Sequence, residues 1–293
     1  MDFWVILAMS DFIEAIEIYP KIIVYKNVFK NVQKNIDILK NSESNDSDRF
    51  FANWEKWSIF GEYLNPVLGH IDSEEYENPN TENKKNQKEL FEEVLSSFDF
   101  VTRDYCNKHN IEIFNELDTK ITTYDGSIVN KWKISGPAIC KYHISDDENL
   151  HGMRYHSDYQ REKSHRPGHQ FAVTVLGYFN DDYEAGEIDF CIGKKLIKYK
   201  PIAGDILVFP SGSPHLLTEE ENVYLHGVMP AKGSHKYFYR MFWTLYQHAS
   251  NEWIENEAKF GKEVWLGMQD EIETKYHTLN PQRLKIDGGV RIQ

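Results

Sequence analysis

The stretch that decides the fold is FPSGSPHLLTEEENVYLHGVMPAKGSHKYFYRMFW, residues 209–243, which carries His215 and His226 eleven positions apart. Short apolar runs separated by turn-forming residues are typical of β-strands. A histidine on such a strand is a potential metal ligand when other ligands reach the same face. This stretch therefore raises the question of which of its two histidines, if either, binds a metal.

The same pattern of short apolar runs continues on both sides of this stretch. From about residue 112 to 248 many short apolar runs alternate with turn clusters, among them QFAVTVLGYF and GDILVFPS. Regularly spaced short strands of this kind predict a sandwich or a barrel. We find no internal repeat in the chain. The strand-rich part is therefore expected to form a single core.

The flanking regions have a helical pattern instead. Residues 20–28 predict a strand, and the apolar spacing of Val28, Val32, Ile36 and Leu39 predicts a helix after it. The charged segment 72–89 predicts an exposed loop. An amphipathic helix of about five turns is predicted by the apolar spacing of Leu90, Phe91, Val94, Leu95, Phe98, Val101 and Tyr105. Helical periodicity returns after residue 249, with a break expected at Gly261.

We therefore expect one domain with three regions. Residues 1–110 form a supporting strand and helix region, 111–248 the β core, and 249–293 a C-terminal helical extension. A chain of 293 residues is long enough to bury a core of this size.

Composition excludes several functional classes. The formal charge is −13, from 46 acidic and 33 basic residues, and we see no basic stripe, so no nucleic-acid partner is expected. The start, MDFWVILAMSDF, has only seven consecutive apolar residues and Asp2 in place of a basic segment. We therefore expect no signal peptide, no membrane partner and a cytoplasmic location.

The three cysteines are widely spaced. Cys106, Cys140 and Cys191 form no CxxC pair, which argues against both a disulfide framework and a zinc knuckle. Reduced, buried thiols are therefore expected.

A second candidate for metal chemistry lies upstream, where His156 and Asp158 are two residues apart. Alternate residues of an extended strand share a face, so an imidazole and a carboxylate at this spacing can reach one ion. The pair alone is a weak signal. A mononuclear iron oxygenase needs two imidazoles and one carboxylate, so a second histidine has to come from a distant strand. Both His215 and His226 remain open at this point.

Four segments between residues 139 and 243 resemble one known family. They look like the prolyl 4-hydroxylase-like branch of the iron(II)- and 2-oxoglutarate-dependent oxygenases. The segments are YHSDY (155–159), VTVLGYFNDDYEAGEIDF (173–190), AGDILVFPS (203–211) and HGVMPAKGSHKY (226–237). The second is similar to the family's strand and turn Y-L-N-D-x-Y-x-G-G-E-x-x-F.

The resemblance implies a fold and a ligand set. The fold is α+β, with a double-stranded β-helix (jelly-roll or cupin-like) core that N-terminal helices brace and a C-terminal helical extension. The metal ligands are His156, Asp158 and His226, because His226 lies seventy residues after His156 and has Pro230 four residues later. Some relatives instead place this histidine four residues after FPS, where His215 stands.

The resemblance also implies a cosubstrate site. Lys236 lies ten residues after His226, as the family's anchoring cation does, and Arg240 shares its strand face. Arg240 either assists Lys236 or is itself the anchor if the register shifts near Gly233. Tyr142 resembles the family tyrosine that binds the cosubstrate, and Thr174 is a weaker candidate for the same role.

The implied activity is that of a dioxygenase, a hydroxylase acting on an unactivated C–H bond. Its cofactors are Fe(II) and the cosubstrate 2-oxoglutarate, with dioxygen as partner and ascorbate as a candidate reductant. Asp158 favours hydroxylation, since halogenating relatives replace this carboxylate with a small residue. A peptidyl proline is the first substrate class, and a free amino acid or other small metabolite is the alternative. The alternative outside the enzymes is a non-catalytic binding module.

Overall fold

The structure is a computed structural model that describes residues 13–41, 50–51, 54–58, 61–64, 73–144, 153–158, 166–192, 195–212 and 224–279. Within these ranges no helix is both long and apolar enough to cross a membrane. The three cysteines are free, as predicted, and Cys106 and Cys140 are buried.

Sixteen strands are described. In chain order they are β1 (Ala15–Tyr19), β2 (Ile22–Tyr25), β3 (Glu55–Ser58), β4 (Gly61–Leu64), β5 (Lys120–Thr122), β6 (Ile128–Asn130), β7 (Trp132–Tyr142), β8 (Met153–His156), β9 (Gly168–Tyr178), β10 (Glu184–Ala185), β11 (Ile188–Ile192), β12 (Lys195–Tyr199), β13 (Ile206–Pro210), β14 (Leu225–Val228), β15 (Ala231–Lys232) and β16 (Lys236–Gln247). The larger sheet has the order β1-β2-β13-β9-β16-β7-β4-β3, and the smaller one β12-β11-β14-β8.

The chain crosses repeatedly between these two antiparallel sheets. It runs from β7 in the larger sheet to β8 in the smaller one, back to β9, and then to β11 and β12. It returns to β13, crosses to β14 and ends the core with β16. This alternation winds two sheets around one interior, which is a double-stranded β-helix or jelly roll. The predicted fold class is confirmed.

The inner faces of the two sheets enclose one hydrophobic cluster, because alternate strand residues point to the same side. Phe190 on β11 and Phe209 on β13 meet from opposite sheets, with their ring centroids 4.9 Å apart. Other buried members of this cluster include Val24, Cys140, Leu176, Ile188, Leu207 and Phe238. The interior is therefore packed except where polar side chains line a cavity.

Helices cover the outer face of the larger sheet. They are α1 (Val32–Asn41), α2 (Glu74–Glu77) and α3 (Glu82–His109), followed by a 3₁₀ turn at Glu112–Asn115. Phe98 of α3 stacks on Trp243 of β16 with ring centroids 5.9 Å apart. The Ser97 and Tyr239 hydroxyls lie 3.4 Å apart. The N-terminal helices brace the core as predicted.

The predicted exposed loop at 72–89 is wrong for most of its length. Ser73 and Thr81 cap α2 and α3, each by accepting a backbone hydrogen bond from the first turn. Each helix buries one of its side chains in this segment, Tyr76 in α2 and Gln87 in α3. The segment has too few apolar residues to show helical periodicity, so only the two caps could have indicated these helices.

The C-terminal part forms two helices, α4 (Asn251–Phe260) and α5 (Lys262–Leu279), separated at Gly261 with a φ of 83° as predicted. Trp253 is 2% exposed and its ring centroid lies 5.6 Å from that of Trp265. Its indole N–H donates to Glu257 at 3.0 Å. The two tryptophans therefore pack within the chain.

Gly177, next to the last residue of β9, is a position where a side chain does not fit. A Cβ there would lie 2.0 Å from the ring of Tyr239, which is fully buried under α3. We expect Gly177→Ala to lower the free energy of unfolding by about 3 kcal/mol, as overpacking in cores does. Gly136→Ala on β7 is the control, since its Cβ would meet nothing within 4 Å. Denaturant unfolding that finds the two variants equally stable would contradict this packing.

Candidate metal centre

The structure brings three potential metal ligands together at one end of the interior. His156 ends β8, Asp158 follows two residues later, and His226 lies on β14 directly opposite His156. Nε2 of His156 is 3.4 Å from Oδ1 of Asp158, and Nε2 of His226 is 3.6 Å from Oδ2. One ligand atom from each residue lies within 4.8 Å of the other two.

His226 has the protonation state that a metal ligand needs. Its Nδ1 lies 3.2 Å from the backbone carbonyl of Tyr224, so Nδ1 donates and Nε2 keeps its lone pair toward Asp158. Burial between Phe190 and Phe209 lowers the pKa of His226 to about 4. The imidazole is therefore neutral at neutral pH.

Asp158 is held in its ionised form. Burial acts to raise the pKa of this carboxyl, but the imidazoles of His226 and His156 and the Thr174 hydroxyl outweigh burial and lower the pKa below its usual range. Thr174 Oγ1 donates to Oδ2 of Asp158 at 2.7 Å and lies 2.7 Å from Oγ of Ser211. Residues from all four of the sequence segments thus meet around one carboxylate.

These three side chains fit a divalent iron. Two neutral imidazoles and one carboxylate on one side of an ion are the donor set of non-haem Fe(II) oxygenases, which leave the other positions open. Ligand atoms at right angles around one ion are about 3 Å apart for bonds near 2.1 Å, close to the two separations from Asp158. Only small side-chain movements are needed for all three to bind one ion.

Thr174 contacts a metal ligand in addition to lining the cavity, where its expected contact with the cosubstrate stays a prediction. Its hydroxyl binds the carboxylate of Asp158. Partners of this kind fix the orientation of a ligand, and their loss weakens metal binding. The sequence shows only that Thr174 alternates with Leu176 and Tyr178 on an inward face of β9.

We expect Thr174→Val to weaken Fe(II) binding about tenfold, because the Asp158 carboxylate loses the hydroxyl that orients it. Thr244→Val is the matched control, since the Thr244 hydroxyl bonds the Lys133 carbonyl on β7 and does not line the cavity. Anaerobic titration of Fe(II) measures both variants. Equal affinities would mean that Thr174 has no effect on the ligand.

The ligands open into a cavity between the two sheets. Its described lining is Tyr142, Met153, His156, Asp158, Thr174, Leu176, Tyr178, His226, Val228, Lys236, Phe238, Arg240 and Phe242. All six residues that the sequence predicted for metal and cosubstrate are among these. The alternate residues 236, 238, 240 and 242 of β16 all face the cavity, as the strand period predicts.

Lys236 lies at the inner end of this cavity and is 1% exposed. Its Nζ donates to the Gly186 carbonyl at 2.7 Å and lies 5.0 Å from the ring centroid of Tyr178. Burial, followed by the charge of Lys200, lowers the pKa of Lys236 to about 7. A buried ammonium with this environment is stabilised by an incoming anion.

Tyr142 and Arg240 also lie where the sequence predicts them. The Tyr142 hydroxyl donates to the thioether sulfur of Met153 at 3.1 Å, a weak acceptor, and Tyr142 pairs with Lys236 across β7 and β16. Arg240 lies four residues further along β16, opposite Ala138 on one side and Leu176 on the other. It is therefore further from Tyr142 than Lys236 is.

Tyr178 is a candidate that the sequence analysis missed. It is 1% exposed and lies beside Lys236, and within the described part of the chain its buried hydroxyl has no hydrogen-bond partner. A buried polar group without a partner is costly, which suggests that a ligand completes it. Its two-residue spacing from Leu176 and four-residue spacing from Thr174 could have placed it on the same inward face.

His215, the other candidate ligand, lies outside the residues that the structure describes. The geometry around His226 is independent of it, because His226 pairs directly with His156 across β14 and β8. The three ligand atoms therefore come from two neighbouring strands of one sheet.

No protein-family model and no curated protein sequence matches the chain. Its structure is similar to a viral collagen prolyl hydroxylase from Paramecium Bursaria Chlorella virus-1 in a 2-oxoglutarate complex, with 14% identity, a TM-score of 0.45, and 81% of this chain and 97% of that chain covered.

Two further solved structures are similar. A prolyl hydroxylase from Trichoplax adhaerens, in complex with a hypoxia inducible factor peptide fragment, has 15% identity and a TM-score of 0.47, with 77% and 83% of the two chains covered. The dioxygenase for auxin oxidation 1 from Arabidopsis thaliana has 10% identity and a TM-score of 0.46, with 76% and 82% covered. The fold is therefore assigned from the strand order described above, and the chemistry has to be argued from the side chains.

Proposed function

We propose that this protein is an Fe(II)- and 2-oxoglutarate-dependent dioxygenase that hydroxylates an unactivated C–H bond. The observation that carries the proposal is one cavity with His156, Asp158 and His226 at one position and the buried Lys236 at another. Burying a cation costs free energy. An organic anion that bridges the metal ligands' ion and Lys236 would offset this cost.

In this proposal the three ligands hold the metal, and Lys236 binds the far carboxylate of the cosubstrate. The Tyr178 hydroxyl donates to the same carboxylate. Tyr142, which pairs with Lys236 across β7 and β16, binds the cosubstrate from the neighbouring strand. The bound iron and cosubstrate supply the activation of dioxygen, with ascorbate as reductant. The apolar walls around them, including Leu176 and Phe238, exclude water from the reacting groups.

For the substrate we propose a prolyl residue of a peptide, from the similarity of the sequence segments to the prolyl 4-hydroxylase-like family. A free amino acid or another small metabolite is the second candidate, and the charge of Arg240 favours it. A non-catalytic binding module does not explain why an ionised Asp158 and two imidazoles converge. Mass gain of one oxygen in a screen of proline-containing peptides and free amino acids separates the two substrate classes.

The activity is tested by measuring succinate formed from 2-oxoglutarate. We expect formation to require ferrous iron and to be absent in Asp158→Ala, because this variant removes the one carboxylate among the described residues that line the cavity. Asp182→Ala, outside that lining, is the control. A wild-type protein that binds no iron under anaerobic conditions would rule the proposal out.

The low pKa of Lys236 predicts how cosubstrate binding depends on pH. Since this pKa is about 7 in the empty site, the ammonium that binds a carboxylate is present below that value and lost above it. We therefore expect the affinity for 2-oxoglutarate to fall about tenfold per pH unit above about pH 7. Calorimetric titration checks this slope, and Lys236→Arg should flatten it because a guanidinium stays charged. A slope that Lys236→Arg leaves unchanged would assign the pH dependence to another group.

A further inference from the structure

We propose that Ser211 is a positioning residue of the metal centre, whose buried hydroxyl acts through Thr174 to fix the orientation of the Asp158 carboxylate. The inference rests on the proposed function for the identity of the metal as iron. The effect that it predicts is an effect on metal affinity, which can be measured without any turnover.

Asp158 needs such support because it lies beyond the end of its strand. The ladder of backbone hydrogen bonds between β8 and β14 reaches His156, which pairs with His226, and Asp158 follows two residues later. Within the described part of the chain β8 is also an edge strand of the smaller sheet. Strand pairing therefore fixes the backbone at His156, whereas the direction of the Asp158 carboxylate depends on side-chain contacts.

The direction of these hydrogen bonds follows from the number of protons. An ionised carboxylate can only accept, so the Thr174 hydroxyl gives its single proton to Oδ2 of Asp158, at 2.7 Å. The Thr174 oxygen also lies 2.7 Å from Oγ of Ser211. Because the Thr174 proton is already used, Ser211 is the donor in this second bond. The two hydroxyls thus form a chain of hydrogen bonds that runs from Ser211 through Thr174 to the metal ligand.

Ser211 is itself held in place by the larger sheet. It directly follows β13, and its backbone N–H donates to the Ala172 carbonyl of β9 at 2.9 Å. Ser211 and Thr174 are each 1% exposed, so water has little access to their hydroxyls. A buried donor at a fixed position keeps the Thr174 hydroxyl in one orientation and strengthens the hydrogen bond that this hydroxyl donates.

A second contact joins the ligand segment to the same residue. Ser157, which lies between His156 and Asp158, donates its hydroxyl proton to the backbone carbonyl of Ser211 at 3.0 Å. Ser211 therefore connects the ligands of the smaller sheet to the larger sheet in two ways. Ser211→Ala removes only the contact through Thr174, because the backbone carbonyl that accepts from Ser157 remains.

The test measures the affinity of the full chain for Fe(II) by anaerobic titration, in Ser211→Ala, in Thr174→Val and in the double variant. We expect Ser211→Ala to weaken Fe(II) binding about three- to tenfold, the effect of one hydrogen bond. In the Thr174→Val background the same change should weaken binding by less than about twofold, because the chain of hydrogen bonds is already broken. Residues that act independently would instead multiply their effects.

Ser97→Ala is the matched control for a structural effect. Ser97 is a buried serine of α3 whose hydroxyl donates to the Val94 carbonyl at 2.8 Å, and it does not line the cavity. Co(II) in place of iron adds a spectroscopic readout, since its visible absorption depends on the arrangement of its ligands. This absorption should change in Ser211→Ala and not in Ser97→Ala. Thermal unfolding confirms that the variants are folded, and Ser211→Cys, with a weaker donor of similar shape, replaces a Ser211→Ala variant that is not.

Three results would overturn the inference. They are an unchanged Fe(II) affinity in Ser211→Ala, losses of affinity that multiply in the double variant, and an equal loss in Ser97→Ala. If the wild type forms succinate while Ser211→Ala keeps its affinity, this inference alone is wrong. Metal binding that depends on Ser211 without any succinate formation would support this inference and contradict the proposed function alone. A wild type that binds neither metal would overturn both.

Discussion

Replacing His226 with alanine should remove iron binding and turnover together. This imidazole contributes one of three metal ligands, and its Nε2 lies 3.6 Å from the carboxylate that shares the ion. Loss of a group that merely orients a ligand weakens metal affinity by about 10- to 100-fold, so loss of the ligand itself should exceed about 100-fold. Metal analysis after anaerobic loading, together with succinate formation, measures both effects.

His215→Ala is the matched control for this variant. It removes the same side chain from the same stretch of sequence, eleven residues earlier. We expect His215→Ala to keep most of its iron and most of its activity. The reverse pattern, with iron lost only in His215→Ala, would show that the histidine after FPS is the ligand and that His226 is a packed core residue.

Lys236→Met should raise the KM for 2-oxoglutarate about 100-fold, because the far carboxylate would lose its buried cation. Methionine has a similar length and fits among the three aromatic rings that surround this ammonium, those of Tyr178, Tyr183 and Phe238. The chemical step itself should change much less, since the lost contact binds the ground state and the transition state alike. Steady-state kinetics at varied cosubstrate concentration separates the two parameters.

Lys200→Met provides the comparison for Lys236→Met. Lys200 also donates to the carbonyls of the turn at 183–186 but does not line the cavity. Its loss should affect the KM only slightly. If the large change in KM appeared in Arg240→Met and not in Lys236→Met, Arg240 would be the cosubstrate anchor.

Strand periodicity predicted the inward face of β16 correctly. Lys236, Phe238, Arg240 and Phe242 alternate with residues that pack against α3, so a period of two is enough to place them. Local spacing carries this information, because each strand buries one face regardless of its partners. Spacing alone predicted only a sandwich or a barrel, and the double-stranded β-helix was expected from the resemblance of four segments to a known family.

The helix at 74–77 and the first turns of α3, residues 82–89, could not be predicted in the same way. The first turns of α3 bury Gln87 and expose charged side chains, so hydrophobicity shows no helical period there. The stabilising contacts come from tertiary neighbours, such as the ring of Tyr76 above Phe91. Such contacts have no signature in a single sequence.

The roles of Thr174 and Tyr178 depend on contacts between distant strands. The hydrogen bond from Thr174 to Asp158 joins β9 to the residues after β8, and Tyr178 matters because Lys236 lies beside it on β16. Sequence spacing places each residue on an inward face but does not say which residue it meets across the interior. Only the arrangement of the sheets distinguishes a ligand-orienting hydroxyl from a packed one.

The direct pairing of His156 with His226 makes the proposed site sensitive to insertions and deletions. One residue added to or removed from β8 would turn His156 away from the interior, because successive side chains of a strand alternate between faces. The smaller sheet would still form its backbone hydrogen bonds in the shifted register. Length changes in this short strand should therefore abolish metal binding while much of the fold is retained.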